Sequence, residues 1–201
     1  MQRSLLFILL ILTSYSAGAK QLAPHEMIQQ VANTTFKQLK QDKQQIEKEP
    51  AHIKQILIKE LMPHVDHQLA AKILLDKTPG TDEQKLAFYR AFEQYPIATY
   101  ATIFAKYVDQ QLEVEPTTDF AGQKVVTVKA RLTQDGRPNI PIEFKLRTHP
   151  QSNDWQLFDM VVEGVSLLFS KKAELKAIFR QDNGIETATR LLAEKAQSSD
   201  K

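Results

Sequence analysis

Cysteine is absent from this 201-residue sequence, and its absence removes disulfides, thiol catalysis and cysteine-based zinc sites together. An oxidising compartment stays open, because a chain of this length can bury a sufficient core without cross-links. Glycine is scarce, with six residues, and none forms the Gly-rich loop that cradles a nucleotide phosphate. Charge of one sign is missing too. Lys and Arg number 26 against 24 Asp and Glu, so no global field exists to gather nucleic acid or an anionic membrane. The basic residues are scattered, without the aromatic interleaving of single-strand binders, and no nucleic-acid partner is expected. Beyond the N-terminal segment no apolar run is long enough to span a bilayer, which takes roughly 20 residues.

What is present begins at the N terminus. Arg3 supplies a positive charge, Leu5 to Leu12 an unbroken apolar run, and Ala17-Gly18-Ala19 the small residues a signal peptidase reads. This pattern predicts a cleaved signal peptide over residues 1–19, with the cut between Ala19 and Lys20. An uncleaved anchor competes with that reading, but the apolar run is short for a span. No cysteine follows to carry a lipoprotein lipid. The expected exported chain, 20–201, is one domain. Its helical part covers about 20–110, and a sheet with C-terminal helices covers about 111–196.

Periodicity supports that division. Met27, Ile28 and Val31 recur at helical spacing, as do Ile53, Ile56, Leu57 and Leu61 up to Pro63, and one helix is expected from Pro24 to about Lys48. Thr78-Pro79-Gly80 is a turn. Thr81 with Gln84 forms a capping-box start for an aromatic-rich helix carrying Phe88, Phe92, Tyr95, Tyr100, Phe104 and Tyr107. Pro96 lies inside it and is expected to kink or split it. Period two then takes over. Val126, Val128, Ala130 and Leu132 alternate with polar residues, as do Ile140, Ile142, Phe144 and Leu146, and Trp155 to Val162 reads as a third long strand. Short turns join the three, so an antiparallel meander is expected. Helical spacing returns with Leu167, Leu168, Leu175, Ile178 and Phe179, expected to stop near Asn183-Gly184. Helices, then strands, then helices indicate the α+β class.

Chemistry is hard to find in these residues. His64 and His67 would share a face if both lay on one helix, but two ligands do not make a metal site, and no third has a distinctive spacing. Ser166 follows Gly164 as in a hydrolase elbow, yet Leu168 stands where a second glycine is required. A helix-capping serine is the plainer reading. Asp159 and Glu163 flank one strand end and could act as a carboxylate base, without any nucleophile near in sequence. The aromatic helix and the apolar strand face can either close on each other as core or leave a cavity. Periodicity alone does not separate the two.

The run Asn153–Phe169, NDWQLFDMVVEGVSLLF, resembles the MlaC family of periplasmic phospholipid-binding proteins, also called toluene-tolerance proteins. Leu61-Met62-Pro63-His64-Val65-Asp66, the helix from Thr81 to Tyr107, and the turn Asp135-Gly136-Arg137-Pro138 are similar to segments of the same family in order and spacing. The resemblance spans about Pro24 to Glu194. It implies a sheet of nuclear-transport-factor-2-like type with added helices, a periplasmic location and no enzymatic activity. It also implies a monomeric carrier that holds a phospholipid as cargo, with no cofactor. The implied partners are an inner-membrane ABC transporter with an MCE-domain subunit and an outer-membrane lipoprotein–porin complex, in a system that maintains outer-membrane lipid asymmetry.

Strand alternation then selects the expected lipid-facing residues: Val126, Val128, Leu132, Ile142, Phe144 and Leu146. Phe158, Met160 and Val162 are taken from the third strand, opposite Asp159. Val165 and Leu168 follow at the sheet–helix junction, and Tyr100, Phe104 and Tyr107 come from the aromatic helix. The competing readings are an enzyme of the same fold type acting on a small hydrophobic substrate, with Asp159 or Glu163 as base, and a chaperone-like binder of unfolded proteins.

Overall fold

The computed structural model describes residues 22–105 and 110–198. The expected signal peptide and Tyr107 lie outside the described residues. The order is α1 (Pro24–Gln41), α2 (Lys43–Lys48), α3 (His52–Glu60), a 3-10 turn (Met62–His64), α4 (His67–Leu75), α5 (Asp82–Phe104), β1 (Gln111–Val114), β2 (Val125–Thr133), β3 (Ile140–Thr148), β4 (Trp155–Val162), β5 (Val165–Ser166), α6 (Leu167–Ile178) and α7 (Gly184–Ser198). The chain is α+β, and its strands form an antiparallel sheet in the order β1-β2-β3-β4-β5.

Local chemistry explains most boundaries. The Thr81 hydroxyl accepts from the Gln84 amide at 3.3 Å while the Gln84 side chain accepts from the Thr81 amide at 2.7 Å, the reciprocal cap expected of this pair. Ser166 caps α6 by accepting from the Phe169 amide at 3.0 Å. Glu163 and Gly164 both take positive φ, 49° and 81°, as a two-residue hairpin of the primed type requires. They fold β5 back onto β4.

Three expectations need correction. The helix expected to reach Lys48 is interrupted at Asp42 (φ −94°, ψ 13°), so α2 is a separate short helix. Pro96 does not split α5, which runs unbroken for 23 residues. Pro96 is buried with Phe92, Ile97 and Ala98 on its flanks, so packing holds the helix through the missing N–H. The helix expected to stop near Asn183-Gly184 ends at Ile178, and Gly184 instead opens α7. His64 and His67 do not share a helix. His64 sits in the 3-10 turn, Val65 is extended, and Asp66 leaves helical geometry (φ −84°, ψ 70°) before α4 begins.

Three buried clusters form among the described residues, and two of them adjoin the sheet. One face of β2 and β3 presents Val126, Val128, Ala130, Ile142, Phe144 and Leu146 to α1, where Met27, Ile28 and Val31 meet it. The second core lies among the helices and gathers Leu74, Phe88, Phe92, Leu168, Leu175 and Leu192. A partly buried ion pair links sheet and helices. Arg147 on β3 contacts the Asp66 carboxylate at 2.5 Å, while that carboxylate also caps α4 by accepting from the Leu69 amide at 2.8 Å.

Candidate functional site

The site is built where strand β4 leaves regular pairing. Leu157 sits opposite Leu146, but Met160 sits opposite Phe144, so β4 carries one extra residue at this point. A β-bulge re-aims side chains. Here Leu157 and Met160 pack with the sheet core, whereas Phe158 packs with the helical core. The uniform alternation expected for Phe158, Met160 and Val162 therefore does not hold, because the bulge resets the parity between Phe158 and Met160.

Above the bulge, α5 and α6 enclose a cavity of about 320 Å³, at the lower end of the roughly 300–1,000 Å³ usual for ligand clefts. Helix α5 contributes Phe92, Tyr95, Pro96, Thr99, Tyr100 and Ile103, positions that share one face at helical spacing. Helix α6 contributes Leu167, Leu168, Ser170, Lys171 and Glu174, β4 contributes Leu157 to Met160, and Val65, His67 and Ala70 close the end at α4. The wall is mainly hydrocarbon and aromatic. Phe92 and Tyr95 stack with centroids 5.9 Å apart. Ile103 belongs to the wall yet is 51% exposed, which marks a rim.

The polar groups on this wall are unequal. Asp159 is 4% exposed and fully engaged: it accepts from the Ser166 hydroxyl at 2.8 Å and the Leu168 amide at 3.1 Å. The Lys145 ammonium lies 3.7 Å away. These bonds fasten the start of α6 to β4. The Tyr100 hydroxyl is pushed up to about 12 by burial, with the Asp159 charge adding to the shift, so it stays neutral and the cavity gains no charge from it. Thr99 Oγ1 and His67 Nδ1 are buried without a hydrogen-bond partner among the described residues. Lys171 Nζ lies 4.8 Å from the centre of the Tyr95 ring and 2.5 Å from the Glu174 carboxylate. Glu163 lies on the exposed β4–β5 turn, outside the cavity wall.

Of the expected lipid-facing residues, the cavity brings together Tyr100, Phe158, Met160 and Leu168. Val126, Val128, Ile142, Phe144 and Leu146 pack instead in the core beneath α1, with Leu132 against them. Alternation identified the apolar face of the sheet correctly, but α1 covers that face. Phe104 turns to Phe36 of α1, with centroids 6.0 Å apart. Val162 pairs with Val165, which is 56% exposed, and neither lines the cavity. The sequence reading missed Phe92, Tyr95, Pro96, Thr99 and Ile103, although their i, i+3, i+4 spacing was there to be read. It also missed Lys171 and Glu174, because it sought apolar residues only.

The comparisons with known proteins agree with this architecture. A family model described as MlaC protein matches residues 29–194. A curated relative from Haemophilus influenzae, the intermembrane phospholipid transport system binding protein MlaC, is 25% identical over 167 residues, covering 82% of this chain and 78% of that protein. Among solved structures, a phospholipid-binding protein from Ralstonia solanacearum, in complex with a phospholipid, superposes with a TM-score of 0.78. At 18% identity it covers 90% of this chain and 100% of its own, and that likeness establishes the shared fold. The family match extends over most of the sequence, and the chain belongs to the MlaC family.

Proposed function

We propose that this protein binds a phospholipid with its acyl chains in the cavity between α5, α6 and β4, and carries it between membranes. The observation that carries the reading is that cavity: an apolar-walled space with an exposed apolar rim at Ile103, whose two carboxylates among the described residues are both engaged, Asp159 by Ser166 and Glu174 by Lys171. The names of the Haemophilus and Ralstonia relatives support the choice of phospholipid. In the finer reading, export follows cleavage after Ala19 and the carrier works in the periplasm as a monomer. It exchanges lipid with an inner-membrane ABC transporter bearing an MCE-domain subunit and with an outer-membrane lipoprotein–porin complex, in support of lipid asymmetry.

Physical chemistry makes such a carrier necessary and simple. Each exposed methylene costs roughly 0.8 kcal/mol, so about 30 methylenes cost on the order of 20 kcal/mol in water. A dry cavity removes that cost without a nucleophile, metal or nucleotide. A cavity of about 320 Å³ holds part of a diacyl lipid, so loading requires α5 and α6 to separate further.

The enzyme reading finds less support. Asp159 spends its oxygens on Ser166 and Leu168, and Glu163 faces solvent. Incubating the lipid-free protein with phospholipid vesicles tests the carrier reading. Uptake of about one phospholipid per chain, with an accompanying rise in melting temperature, is expected. No uptake by folded protein would overturn it.

A further inference from the structure

We propose that Lys171 is the cation that recognises the lipid's phosphate, and that Glu174 holds its place when no lipid is bound. This rests on the carrier reading above. Among the described residues that line the cavity Lys171 is the one permanent cation, since His67 is charged only when protonated. Its side chain is only 18% exposed, although its ammonium carries a full charge. A charge so covered requires partners, and it has two: the Tyr95 ring below and the Glu174 carboxylate beside it. Both partners line the same cavity.

The two partners differ in permanence. Tyr95 belongs to the packed aromatic row of α5, stacked on Phe92. Glu174 is 62% exposed, so its carboxylate can swing into water and be solvated there, whereas Lys171 stays covered and keeps its need for an anion. A phosphodiester whose tails enter between α5 and α6 presents an anion to that same ammonium. It takes over the charge-assisted bond while the ring contact stays. The exchange couples tail insertion to phosphate recognition, and an uncharged diacyl lipid cannot make it.

The test is a competition for the lipid-free protein between vesicle-borne phosphatidylglycerol and diacylglycerol of identical chains, read as the ratio of the two lipids retained. Lys171→Met keeps the stem and removes the charge. It should lower the ratio about fivefold to tenfold, with diacylglycerol uptake within about twofold of the parent. Glu174→Gln removes the competing anion and should raise the ratio, a second readout that stands even where the first variant fails to fold. Inorganic phosphate alone should leave the melting temperature unchanged. A rise that Lys171→Met abolishes would assign the site to a free anion and overturn the lipid assignment. Unchanged ratios in both variants would overturn the inference and leave lipid carriage standing. Failure of the parent to take up either lipid would remove the carrier reading itself.

Discussion

Ser166 donates its hydroxyl to Asp159 across the β4–β5 hairpin at 2.8 Å, while its oxygen accepts from the Phe169 amide to cap α6. Asp159 completes the latch by accepting from the Leu168 amide. One wall of the cavity is thereby fixed to the bulged strand. Asp159→Ala leaves the Leu168 amide and the Ser166 hydroxyl without their acceptor. It should cost about 3 kcal/mol by the usual penalty for unmade charged hydrogen bonds. Ser166→Ala removes the cap and one bond, at about 1–2 kcal/mol. Urea unfolding measures both, and Asp159→Ala with unchanged stability would refute the latch.

Tyr100 gives the fold an alkaline sensitivity with a defined sign. Its hydroxyl titrates near 10.0 when exposed and near 12 in the fold. A raised folded value means its contribution is fully present below pH 10, then lost as pH climbs toward 12. Two pH units correspond to about 2–3 kcal/mol. Lysine side chains as a class titrate near that range, so the measurement is a difference: chemical unfolding of the parent and Tyr100→Phe between pH 9 and 12. The variant should show the shallower alkaline loss. Parallel curves would contradict the burial of this hydroxyl.

Positions in the sheet core and on the cavity rim should separate folding from binding. Val128 and Leu146 are wholly buried beneath α1. Placing Asp at either buries an unpaired charge in hydrocarbon, and a loss of more than about 4 kcal/mol, the range of severe substitutions, is expected. Ile103 lines the cavity with half its surface open. Ile103→Glu should shift the melting temperature by less than about 4 °C, in line with an effect near 0.5 kcal/mol at exposed sites, while lowering phospholipid uptake several-fold. Circular dichroism melting beside a vesicle-uptake assay reads both. Normal uptake by Ile103→Glu would move the entry away from this rim.

The proposed leader offers a separate check. Cleavage between Ala19 and Lys20 predicts a mature chain beginning at Lys20, measured by intact mass after expression with the native N terminus. A retained Met1 in the exported fraction would contradict the predicted cleavage.

Much of the fold was legible from residues because short-range rules govern it. The Thr81 capping box, the Ser166 cap and the alternating strands β2 and β3 each follow from neighbours within a few positions. The site was less legible. Alternation located the apolar face of β2 and β3 but could not tell that α1 closes it, because that contact joins residues about a hundred positions apart. In β4 apolar residues stand side by side, Leu157-Phe158 and Met160-Val161-Val162, so alternation leaves its parity open, and the bulge at Phe158 changes that parity within the strand. Pro96 suggested a break because its missing N–H is local, whereas the packing that sustains α5 is tertiary. The cavity-facing row Phe92, Tyr95, Thr99 and Ile103 was visible as a helical stripe. Which stripe meets core and which meets cavity depends on where α6 comes to rest.

The most direct measurement is native mass spectrometry of the protein purified from its cells without detergent, followed by identification of whatever is released. The account predicts a species heavier than the chain by one phospholipid, whose acyl chains protect Tyr95 and Ile103 from chemical labelling. Protein that emerges bare, and remains bare after incubation with phospholipid vesicles, would contradict it.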